Sequence, residues 1–160
     1  MKKEIIVTNI FSVPSSHVWK AWTDPEMVMK WWGPEHFTSP SAKLDFREGG
    51  TSIVCMKAPK EMGGRDLYNT WKYTKIVPTE CIEFIQNLSD QNGNKIAPAS
   101  IGMPADFPED VKTVVTFKEL TKNTTEMTIT EYASFGEIGH FAQIGLEQCV
   151  NKMDKLFAKA

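Results

Sequence analysis

Residues 137–160 read EIGHFAQIGLEQCVNKMDKLFAKA, and no other stretch of the chain reads as a long helix. Ile138, Phe141, Gly145, Cys149, Met153 and Leu156 recur at steps of three and four, with Ala142, Leu146, Val150 and Phe157 beside them. That spacing draws one broad apolar stripe along a helix. Glu137, Gln143, Glu147, Asn151, Asp154 and Lys159 fall mostly on the opposite side, as in a helix lying across an apolar surface. At ~1.5 Å per residue such a helix is roughly 30 Å long and crosses a small domain. Gly139 and Gly145 interrupt it, each costing about 1 kcal/mol against alanine. Two readings of them stand: close packing of helix on sheet, or room left for a ligand.

Working outward, most of the remaining chain reads as strands. Glu4 to Phe11 is rich in Ile, Val and Thr. Pro14-Ser15-Ser16 follows as a turn, with Ser15 or Ser16 the expected N-cap of a short helix carrying Val18, Trp19 and Trp22. Asp24 repeats the device, with Pro25 at the first helical position and Met27 to Trp31 in a second short helix that Gly33-Pro34 stops. Strands are expected over Lys43 to Phe46, Thr51 to Ala58, Leu67 to Val77, Glu80 to Leu88, Val111 to Leu120 and Thr125 to Tyr132. The Pro78-Thr79 connection pairs the middle two as a hairpin. Sequential antiparallel strands closed by one helix make an α+β fold, a curved sheet of about six or seven strands around the C-terminal helix.

Ser89 to Asp110 is the least regular stretch, with Pro98, Pro104 and Pro108 among its breakers. Long loops in compact domains tend to be functional or disordered. Ile96, Ile101, Met103 and Phe107 are too apolar for a solvated linker, so this loop is expected to fold back over the body, near a pocket mouth.

Composition excludes several classes. The 160 residues suit one domain. A net charge of −2 and scattered lysines leave no phosphate footprint, so no nucleic-acid partner is expected. Cys55, Cys81 and Cys149 are far apart and form no C-x-x-C pair, against a disulfide framework or zinc site. His17, His36 and His140 are isolated and lack metal-ligand spacing; neither metal nor cofactor is expected. No apolar run reaches about 18 residues, and the Met-Lys-Lys-Glu-Ile start lacks a signal h-region, so membrane insertion is not expected and a cytoplasmic location is.

The segment Val18-Trp19-Lys20-Ala21-Trp22-Thr23-Asp24-Pro25-Glu26, then Lys30-Trp31-Trp32-Gly33-Pro34, resembles the signature of the START-like (Bet v 1-like, SRPBCC) superfamily. The branch it is similar to is that of the C-terminal domain of the activator of Hsp90 ATPase. Phe37-Thr38, Asp45-Phe46-Arg47-Glu48-Gly49-Gly50 and Val115-Thr116-Phe117 continue the pattern over essentially the whole chain. The resemblance implies a helix-grip fold with an apolar cavity between the C-terminal helix and the sheet. It also implies a small hydrophobic ligand (lipid, isoprenoid or aromatic metabolite) or, alternatively, a stress-related co-chaperone domain. Hsp90 as a partner rests on the family name alone. Thr51-Ser52 stand where the family often has an aromatic, and the 89–110 loop is longer than the usual connection.

The inward-facing candidates are Trp71, Tyr73, Phe84, Phe117, Met127 and Ile129 of the strands and Phe141 and Gly145 of the helix. That they line a ligand-binding cavity, with Glu131, Asn69 and Thr113 as its polar groups, is what the resemblance implies. The same positions also describe an ordinary filled core. Glu131 is the sharpest case: inward it must be paired or functional, and a slip of one residue puts it in water. Catalytic residues are not assigned, although Glu131, Tyr73 and His140 are the acids and bases a cyclase or hydrolase would use. Trp19 and Trp22 read as core; Trp31 and Trp32 are left open between core, a portal and a homodimer contact.

Overall fold

The computed structural model describes residues 4–104 and 106–158, with the backbone alone at position 137. Lys159, Ala160 and the Glu137 side chain, all assigned above to the long helix, lie outside the described residues. The chain runs β1 (Ile5–Phe11), α1 (Ser15–Thr23), α2 (Pro25–Trp31), β2 (Ala42–Lys43), β3 (Thr51–Lys57), β4 (Asp66–Val77), β5 (Cys81–Ser89), β6 (Val111–Thr121), β7 (Thr124–Tyr132) and α3 (Gly139–Ala158). The strands form one seven-stranded antiparallel sheet in the order β1-β7-β6-β5-β4-β3-β2. Every sequential strand pairs with its neighbour from β2 to β7, and β1 is added at the far edge. This is the expected α+β helix-grip arrangement, with α1 and α2 following the first strand. No helix among the described residues is long and apolar enough to cross a membrane.

Local chemistry explains where elements begin and end. Asp24 closes α1 with its backbone N–H on Lys20 O and opens α2 by accepting Glu26 N–H at 2.9 Å. Removing such a cap costs about 1 kcal/mol. Asp24→Ala is therefore expected to lower the thermal midpoint by about 2–4 °C, read by scanning calorimetry. The N-cap of α1 corrects the sequence expectation: Pro14 occupies it with no side-chain cap, and Ser15 is already helical. The strand expected over Lys43 to Phe46 shortens to Ala42–Lys43. Beyond it the backbone turns: Asp45 N–H goes to Ser52 Oγ at 3.1 Å and Gly50 N–H to Arg47 O at 2.8 Å, so the ladder loses its donors.

The core lies between the concave face of the sheet and the helices. Trp22, Trp31, Trp32 and Trp71 are all buried, which decides Trp31 and Trp32 as core. Trp22 meets Trp31 at 4.6 Å between ring centroids, Trp71 meets Trp32 at 5.2 Å, and Trp71 meets Phe84 at 5.1 Å. Trp19 packs edge-on against Phe46 and Phe117. Two indoles find acceptors, Trp22 on Met127 Sδ at 3.3 Å and Trp31 on Ala21 O at 2.7 Å. The N–H groups of Trp32 and Trp71 are buried without one among the described residues.

Helix α3 lies against β1 and α2, burying Cys149, Val150 and Met153. Phe157 reaches Phe11 edge-to-face at 5.1 Å. Phe141 corrects the sequence reading: it is 71% exposed. At roughly 100° per residue it falls on the flank of Gly145, Gln148 and Lys152, away from the centre of the buried stripe. That flank is covered further along by the segment 33–37, through Gln148 on Glu35 N–H and Lys152 on Pro34 O and Phe37 O. One turn earlier, at Phe141, this cover has ended. Neither helix glycine is squeezed by the sheet: a Cβ on Gly145 would touch only Pro34, at 3.8 Å, and one on Gly139 would meet nothing within 4 Å.

Candidate functional site

At one end of the concave face the inward positions turn polar. In register across the sheet stand Asn69 opposite Leu88, Gln86 opposite Val111, and Glu131 flanked by Thr113 and Ile5. Gln86 Nε2 donates to Glu131 Oε2 at 2.9 Å and to Thr113 Oγ1 at 3.0 Å, and Thr113 Oγ1 in turn donates to Val111 O at 3.3 Å. Among the described residues Glu131 has no cationic partner within ion-pair distance. The residue as a whole keeps some surface, but its carboxyl group sits deep. Burial dominates, and the single amide donor opposes it only in part, so the carboxyl pKa is pushed up to about 7. An acid balanced at neutral pH can accept from, or donate to, whatever faces it.

Glu131 and Gln86 line a cavity of about 90 Å³ with Asn69, Leu88, Phe107, Pro108, Val111 and Phe135, and Thr113 stands behind Gln86 as its hydrogen-bond partner. Its roof comes from the long loop, which folds back as expected from its apolar residues. Asn87 Nδ2 holds Glu109 O at 2.8 Å, Lys95 pairs with Asp110 at 2.9 Å, and Arg65 donates to Ile101 O at 2.8 Å. Phe107 then meets Phe135 edge-to-face at 5.5 Å across the opening. Phe135 also borders a second concavity of about 310 Å³, lined by Glu4, Ile5, Gly139, His140 and Gln143 among others. The turn after Phe135 needs glycine: Gly136 has φ +62°, and a Cβ there would overlap the Asp106 carboxylate of the loop.

The structure thus brings together Glu131, Asn69 and Thr113 of the residues singled out from the sequence. Gln86 was missed, although alternation through Ile82, Phe84 and Leu88 already placed it on the same face. Trp71, Tyr73, Phe84, Phe117, Met127 and Ile129 point inward as expected, into the space that α1 and α2 fill. None of them borders the Glu131 cavity. No residue of α3 borders it either; α3 lines the second concavity instead, through Gly139, His140 and Gln143 facing Ile5 of β1. Phe141 points outward, and Gly145 faces Pro34. The acid–base set is not assembled. Tyr73 Oη bonds Ser52 Oγ at 2.7 Å, with burial pushing its phenol up to about 12, and His140 belongs to the second concavity.

Comparison with known proteins places this geometry. No curated protein matches the chain. A solution structure of a protein from Arthrobacter aurescens superposes with a TM-score of 0.78 at 21% identity, covering 98% of this chain and 87% of that one. A crystal structure of a protein from Chromobacterium violaceum gives 0.77 at 22% identity, covering 96% of each. The AHSA1 protein from Silicibacter pomeroyi gives 0.74 at 16% identity, covering 98% of each. At such identities these likenesses show the shared fold. The family described as activator of Hsp90 ATPase homolog 1-like protein matches residues 12–158, nearly the whole described chain. With its seven-stranded sheet gripping α3, this chain belongs to that family, a branch of the START-like superfamily.

Proposed function

We propose that the domain binds a small hydrophobic molecule by a polar head group at Glu131, with Gln86, Thr113 and Asn69 completing the head-group site. The observation that carries this is an acid buried without a cation, satisfied by one amide and facing a cavity. Buried carboxyls without partners are costly, and a ligand hydroxyl or amine would supply the missing contact. A hollow of about 90 Å³ is smaller than the ~150 Å³ engineered cavity that takes benzene. Phe135 stands between it and the larger concavity of about 310 Å³, so a swing of that ring would join the two into a space of ligand size. The test is native mass spectrometry of the purified chain, with solvent extraction of anything bound, and titration of phenol and benzylamine followed by calorimetry. Wild type should carry or take up such a molecule, and Glu131→Leu should bind at least about tenfold more weakly, the worth of one hydrogen bond to a charged or buried group. Wild type that carries nothing and takes up neither probe would overturn the reading.

A second reading, a protein-interaction domain of co-chaperone type, has its own support in the family's description and in apolar side chains turned outward. Ile6 and Ile10 of β1 are 51% and 54% exposed, and Phe141 of α3 more so. Its measure is the ATPase rate of an Hsp90 from the same source. A rate unchanged by saturating amounts of this chain would remove it.

A further inference from the structure

A second place on the molecule carries chemistry that the Glu131 cavity does not use. Where the end of α2, residues 33–39 and the last turns of α3 meet, they enclose a groove of about 400 Å³. Its apolar lining is Met29, Trp32, Phe37 and Leu156, and its charged lining is Lys30, Lys152 and Lys155, with no acid lining it among the described residues. Among the described residues, the only acid bordering the adjoining concavity, which shares Lys152 and Lys155, is Glu35. None of the three lysines has a carboxylate within ion-pair distance among the described residues.

Lys152 is the informative one. It is half-buried, and its ammonium donates to Pro34 O at 3.0 Å and Phe37 O at 2.8 Å. An ammonium has three donors, so two neutral carbonyls leave one donor and the whole positive charge without an anion. Burial lowers its pKa, with Cys149 and Glu35 opposing. A charge in that position is stabilised by a counter-ion brought from outside. In the same wall Trp32 is only 8% exposed, and its indole N–H is buried with no acceptor.

We infer that this groove is a binding site for an amphipathic carboxylate, the carboxylate seated at Lys152 with Lys155 and Lys30 around it and the apolar tail lying along Trp32, Phe37, Met29 and Leu156. The volume is in the range of small-molecule sites, and the pairing of an apolar floor with a few convergent charges is what such a ligand requires. This site shares no lining residue with the Glu131 cavity, so the two stand or fall separately.

The experiment titrates decanoate into the purified chain at neutral pH, with decanol as the uncharged control, by calorimetry and by 1H–15N correlation spectra. Decanoate is expected to bind and to shift the Trp32 indole N–H resonance, with decanol at least about tenfold weaker. Lys152→Met should weaken decanoate about tenfold or more, as loss of a charge-assisted hydrogen bond does. Because Lys152 also ties down the 33–37 segment, Lys155→Met serves as the second variant. That side chain is exposed and unpaired, and its loss should weaken binding about threefold. Equal affinity for decanoate and decanol, indifference to Lys155→Met, or shifts centred on Val111 and Phe135 would each overturn the assignment.

Discussion

Trp71→Ala is expected to lose about 3–5 kcal/mol of stability, a large share of the ~5–15 kcal/mol that holds an ordinary domain folded. Trp71 is 1% exposed and stands where the rings of Trp22, Trp32 and Phe84 converge, with centroids at 5.7, 5.2 and 5.1 Å. Truncation there removes the transfer energy of a large side chain and leaves a cavity whose walls belong to three elements that cannot all collapse inward. Trp71→Phe should behave differently. It gives up part of the volume, but it also deletes an indole N–H that is buried with no acceptor, and such groups cost about 1–3 kcal/mol. The phenylalanine variant is therefore expected within about 1.5 kcal/mol of wild type. Urea unfolding of the three proteins decides it. If phenylalanine costs well over about 1.5 kcal/mol relative to wild type, removal of the orphan donor offsets nothing.

Glu131 should make stability depend on pH in a defined direction. Its folded pKa is raised from 4.5 to about 7, so the native state favours the protonated acid more than the unfolded chain does. The resulting stabilisation is complete below about pH 4.5 and is lost as pH rises through about 7. Relative to Glu131→Gln, wild type should lose on the order of 3 kcal/mol between about pH 4.5 and about pH 8. The comparison with the glutamine variant cancels groups that titrate equally in both, such as Asp90 and Asp110, whose carboxyls hydrogen bonds hold low. Unfolding free energies measured across this range carry the test. A flat difference between the two proteins would place Glu131 in water.

Local pattern and long-range geometry divided the information between them. Alternation along β4, β6 and β7 was enough to place Asn69, Thr113 and Glu131 on one face, because side chains in a strand repeat every second residue. The Asp24-Pro25 cap and the Pro78-Thr79 hairpin were legible for a similar reason, since each is settled by neighbours in the chain. Phe141 was misread because its step to Gly145 satisfies helical spacing while the flank it shares with Gly145, Gln148 and Lys152 is covered by the 33–37 segment only from Gly145 onward. Which face of a helix is buried depends on what arrives from elsewhere.

The amino-acid sequence by itself determined the class of fold, the order of its elements, the inward faces of its strands and the family, all of which follow from periodicity and from a contiguous aromatic signature. Only the tertiary structure decided that Trp31 and Trp32 join Trp22 in the middle of the grip, that the hollow lies at the sheet end under Phe107 and Phe135, and that Gln86 joins Glu131 to Thr113. It also brought Lys30 and Trp32 beside Lys152, more than a hundred residues along the chain. Cavities and buried charges are made where distant segments meet, and the volume left between them is set by packing, which no local pattern encodes.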